Sequence, residues 1–73
     1  MSKAIAKDLD EAIGALIRAR RLKNGMGQPD LAEALGVTPA AVQHYETGRS
    51  SLTVPKLIRI AEVLGCKTKD LMP

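Results

Sequence analysis

Residues Gln28–Thr47 read QPDLAEALGVTPAAVQHYET, and the spacing within this stretch decides the fold. Ala32 is small, so a second helix can cross the first there at close range. Gly36 tolerates the left-handed backbone that a very short turn demands. Val42 then returns a β-branched side chain to the first helix, and Leu31, Leu35 and Tyr45 close a small core around the crossing. Pro29 suits the first turn of one helix, and Thr38 followed by Pro39 suits the start of the next. The pattern predicts one helix from near Gln28 to Gly36 and another from after Thr38 to Gly48.

Outward from this pair the chain continues as helix. Toward the N-terminus, Leu9, Ile13, Leu16 and Ile17 recur at helical spacing. Asp8 and Glu11 are spaced as a capping box, which places the helix start near Leu9 and leaves residues 1–8 as an N-terminal arm that can fray. Basic residues fill the last turns, where they complement the helix dipole, and Gly25 is a stop. Toward the C-terminus, residues 49–53 are a polar loop. Thr53 can cap a fourth helix with Pro55 in its first turn and Leu57, Ile58, Ala61 and Leu64 as its apolar stripe, up to Gly65. Thr68 to Met72 is one further short turn. The expectation is a single all-α domain over residues 9–73, a compact five-helix bundle.

Composition supports packed helices. The 73 residues are 45% hydrophobic, yet there is no Phe, no Trp and a single Tyr, so Leu, Ile, Val, Ala and Met must build the core. A chain this short has no room for an enclosed catalytic cleft. Cys66 stands alone, which excludes an internal disulfide, and one Cys with one distant His (His44) makes no familiar zinc site. No nucleophile–base–orienter set is visible, so an enzyme is not expected. No metal, cofactor or small-molecule effector is expected either. No apolar run reaches the length of a membrane span and no signal-peptide core is present; a cytoplasmic protein is the expectation. The net charge of +3 suits an anionic partner, and its placement is more telling. Arg18, Arg20, Arg21 and Lys23 form one basic group; Arg49, Lys56 and Arg59 form a looser second.

The sequence resembles the Cro and phage-repressor type of helix-turn-helix domain, the Xre-like transcriptional regulators, whose fold is lambda-repressor-like. The resemblance covers about residues 13–72. It rests on Ile17, Arg18 and Arg21, Gly25-Met26, Gln28, Leu31-Ala32, Leu35-Gly36-Val37, Val42, Tyr45-Glu46 and Gly48. Leu57, Ile60-Ala61, Leu64-Gly65 and Leu71 complete it. The chain departs from the family pattern at Gly27, where a Thr or Ser cap is usual, at Lys67, where Ser is typical, and at Pro39-Ala40, where Gln, Ser or Arg is frequent.

The resemblance implies sequence-specific binding of double-stranded DNA, most often to repress, by a homodimer on a palindromic operator. The second helix of such a motif lies in the major groove. Helical geometry puts Ala40, Gln43, His44 and Thr47 opposite Val42 and Tyr45, so these four are the expected base contacts. Gln43 can bond adenine bidentately, His44 can donate to guanine, and the Ala40 methyl can meet a thymine methyl. Phosphate contacts are expected from Gln28 and Thr38 at helix starts, from Arg49, Ser50 and Ser51 in the following loop, and from Lys56. Arg21 and Glu46 are expected to pair across helices as a structural bridge. Tyr45 is expected to pack rather than stack on bases. Leu52, Val54, Cys66, Leu71 and Met72 are the expected dimer surface. An alternative for the same fold is an antitoxin, or another interaction module, that binds a toxin partner as well as its own operator.

Overall fold

The computed structural model describes residues 3–73. Four α-helices follow in order: α1 (Lys3–Lys23), α2 (Gln28–Leu35), α3 (Pro39–Thr47) and α4 (Val54–Leu64), with a single 3-10 turn at Thr68–Leu71. The expected fifth helix is therefore this 3-10 turn, too short to be a helix in its own right. The expected start of α1 is also corrected. The helix runs through Asp8 from Lys3, so Asp8 and Glu11 are interior positions, not a capping box. Residues 1 and 2 of the expected arm lie outside the described residues.

Local chemistry accounts for the other boundaries. The Thr38 hydroxyl accepts the Ala41 N–H at 3.1 Å, and the Thr53 hydroxyl accepts the Lys56 N–H at 3.3 Å. Each closes an otherwise unpaired donor at a helix start. Gly27 brings no side chain to the start of α2, but its own N–H donates to the Asp30 carboxylate at 2.8 Å. Half of a capping box thus survives the loss of a Thr or Ser cap. Lys67 does the same with Asp70 at 2.9 Å. Gly36 ends α2 with φ of 72°, which lets the Val37 N–H reach back to the Ala32 carbonyl at 3.0 Å.

The core draws on every element. Ile17 of α1, Leu31 of α2, Val42 of α3, Ile60 of α4 and Leu71 of the last turn are fully buried. Ala32, Tyr45, Leu57, Ala61 and Leu64 pack with them, and Leu35 borders the cluster. In α4 the stripe is Leu57, Ile60, Ala61 and Leu64, not Ile58, which is 43% exposed. Asn24, just after α1, ties the far end of the bundle by donating its amide to the Leu64 carbonyl at 2.8 Å.

Two glycines let α1 and α3 approach backbone to backbone. A Cβ on Gly14 would lie 2.3 Å from the Tyr45 carbonyl oxygen, and one on Gly48 would lie 2.7 Å from Cγ of Glu11. Gly48 also adopts φ of 78°, so it serves as helix stop and contact point together. This close seam fixes how α3 is carried by the rest of the molecule.

Candidate nucleic-acid interface

The seam leaves one flank of α3 open. Ala40, Gln43 and Thr47 are exposed and His44 is half-buried, while Val42, Tyr45 and Glu46 are buried on the other side. The structure thus brings the four expected base contacts onto one surface. They differ in freedom. Among the described residues the Gln43 and Ala40 side chains make no hydrogen bond, whereas the Thr47 hydroxyl donates to the Gln43 carbonyl at 2.9 Å. Thr47 also sits at the far end of α3, in a cleft it shares with Ala6, Lys7, Asp10, Glu11 and Arg49.

Beneath this flank lies a buried charged cluster. Arg21 Nε donates to Glu46 Oε2 at 2.6 Å, Arg21 Nη2 to Glu46 Oε1 at 3.0 Å, and Arg21 Nη1 to the Met26 carbonyl at 2.8 Å. The two side chains are only 7% and 1% exposed. The pair is bidentate, the geometry in which a guanidinium and a carboxylate gain most. Hydrogen bonding to Glu46 holds the Arg21 guanidinium above its ordinary pKa; burial opposes this and the nearby negative charge adds to it. Arg21 therefore stays charged wherever the domain is folded.

The expected phosphate contacts divide. Thr38 and Arg49 are exposed and Ser50 half-buried at the two ends of α3. Ser51 is exposed, but its hydroxyl donates to Asp10 at 2.7 Å. Lys56 stands with Nζ 5.3 Å from the centre of the Tyr45 ring, on the α4 side of α3. Gln28 is half-buried, and its side-chain amide donates to Glu46 Oε1 at 3.1 Å, so it joins the Arg21–Glu46 cluster. No short-range pattern marks this bond, because its partners are far apart in sequence.

The expected dimer surface also divides. Val54 is 69% exposed and Met72 53%. Leu52 and Cys66 are half-buried against the core. Leu71 is corrected outright: it is fully buried, because the 3-10 turn folds its side chain under α1 and α4. Among the described residues no three potential metal-binding side chains cluster, and no helix is long and apolar enough to cross a membrane.

Two helices crossed through a tight glycine turn, with the second one open along its outer flank, define a helix-turn-helix protein. A family model described as Helix-turn-helix matches residues 17–71, and the chain belongs to that family in its Cro/C1 type. An HTH-type transcriptional regulator of Sinorhizobium medicae (strain WSM419) is 38% identical over 57 residues, which is 78% of this chain and 41% of that protein. The chain thus spans less than half the length of that relative. Another HTH-type regulator, of Sinorhizobium fredii (strain NBRC 101917 / NGR234), is 32% identical over 73 residues, all of this chain and 93% of its own. Among solved structures, the clp gene regulator ClgR of Corynebacterium glutamicum matches with a TM-score of 0.83 and 33% identity over 86% of this chain and 67% of that one. Hydroxypropylphosphonic acid epoxidase of S. wedmorenis matches with a TM-score of 0.87 and 37% identity, over 92% of this chain but only 36% of the enzyme.

Proposed function

We propose that this chain is a sequence-specific, double-stranded-DNA-binding unit of a cytoplasmic transcriptional regulator, a repressor, with α3 seated in the major groove. One observation carries the reading: the exposed flank of α3 presents Ala40, Gln43 and His44 while Glu46, Tyr45 and Val42 fix the other flank. The named regulators among its relatives support it.

Gln43 is the principal base reader, His44 the second, and Ala40 a van der Waals contact. Thr47 contributes a contact at the helix end. Thr38, Arg49, Ser50 and Gln28 meet phosphates, with Ser51 and Lys56 adding to the same backbone track. The unit acts as a homodimer on a palindromic site, with half-sites about one helical turn apart. Exposed Val54 and Met72, beside Leu52 and Cys66, offer the apolar surface for the second copy.

The test is a selection from random duplexes at fixed salt, followed by titration of the winning duplex and a scrambled one. A symmetric site bound at least about a thousandfold more tightly than scrambled DNA is expected. Equal affinity for both duplexes rejects the reading.

A further inference from the structure

We infer that the Gln28 side chain is a positioning residue for base recognition, which holds α3 through Glu46. The inference rests on the proposed DNA-binding role of α3.

The geometry is specific. Glu46 is almost wholly buried, and its two carboxylate oxygens take three donors. Arg21 supplies two from α1; Gln28 supplies the third from the first residue of α2. A carboxylate has about four acceptor positions, so the amide fills one that the guanidinium leaves open. Arg21 also holds the Met26 carbonyl, in the loop that leads to Gln28. α1 and α2 therefore both meet the carboxylate that α3 carries, and the loop between them is held through Arg21.

The consequence falls on Gln43. It stands three residues before Glu46, about 60° around the helix, so the hold on the buried flank at Glu46 also sets the direction of Gln43 on the exposed one. With Gln28 in place, α3 is tethered from two sides. Without it, Glu46 remains paired to Arg21 and the fold survives, but the tether toward α2 is gone. A small roll of α3 then carries the Gln43 amide out of the narrow geometry that bidentate bonding to adenine requires. The amide carries two N–H donors and spends one on Glu46, so a phosphate contact through the other is compatible with positioning. The two roles separate by what is lost: a phosphate contact serves every duplex alike, whereas positioning serves only the preferred one.

The test is Gln28→Ala, with affinities for the selected and scrambled duplexes measured at fixed salt. The ratio of the two affinities should fall about tenfold, the scale of one charge-assisted hydrogen bond. Gln28→Met, which keeps the length and loses the donor without adding charge, should do the same. Thermal melting of each variant establishes that it is folded. Affinity lost equally on both duplexes, with the ratio unchanged, is the signature of one lost phosphate contact and overturns the inference. If the unaltered protein itself fails to discriminate between the duplexes, the DNA-reading role is rejected and the inference with it. If it discriminates and Gln28→Ala discriminates equally, only the inference is lost.

Discussion

The seam between α1 and α3 and the outer face of α4 are built on opposite terms. At the seam, Gly14 and Gly48 withhold side chains so that backbones touch, and a charged pair is sealed from water. On α4, Val54 and Ile58 stand partly in water, and Arg59 meets Glu62 only at 3.9 Å with both side chains more than half exposed. The seam is rigid because nothing in it can be moved without a clash or an unpaired charge. The α4 face is permissive because water can replace what a substitution removes. The difference places the stability that aims α3 on the α1 side and leaves the α4 side free to face another molecule.

Glu46→Ala should break this contrast most severely. It strands the buried Arg21 guanidinium and should cost about 3–5 kcal/mol, read as loss of cooperative melting or a large fall in Tm. A loss below about 1 kcal/mol would mean that the seam is no more demanding than the surface. Gly14→Ala is next. Alanine favours helix by about 1 kcal/mol, but its methyl would press on the Tyr45 carbonyl, so a net loss of roughly 1–3 kcal/mol is expected in denaturant unfolding. A more stable variant would show that the backbones can part.

Gln43→Ala sharpens the comparison from the open flank of α3. It should leave melting unchanged, cost about 1–3 kcal/mol on the selected duplex, and cost little on scrambled DNA. Equal losses on both duplexes would remove Gln43 as a base reader. Arg49→Ala should reduce the salt slope by about 0.9 and weaken both duplexes alike. An unchanged slope would take Arg49 off the phosphate track. Val54→Ser should have the smallest effect on folding, within about 0.5 kcal/mol. It should still weaken self-association in sedimentation; undiminished self-association would move the dimer surface elsewhere.

The helix-turn-helix was legible because its signals are local. Proline, capping Thr and left-handed Gly act within one or two residues, so the boundaries of α2, α3 and α4 follow from short stretches. The α4 stripe was within reach but misassigned at Ile58. Helical geometry sets Ile60 roughly 60° from the centre of the Leu57, Ala61 and Leu64 stripe and Ile58 roughly 100° from it, so Ile60 is the buried one. Gly14 carried a weaker signal: a glycine inside an amphipathic helix costs stability and so marks a close approach, although nothing local says to what. Gln28 carried none, because an amide at a helix start fits a phosphate and a carboxylate equally well.

The sequence alone determined that this chain is helical, where three of its helices begin and end, and which flank of α3 is polar, because each of these follows from backbone preferences and periodicity along one stretch. Only the tertiary structure decided that α1 begins at Lys3, that Leu71 lies in the core, that α1 and α3 touch at Gly14, and that Gln28 is bound to Glu46. These depend on how distant elements meet, and a burial or a hydrogen bond exists only once packing has chosen the partner.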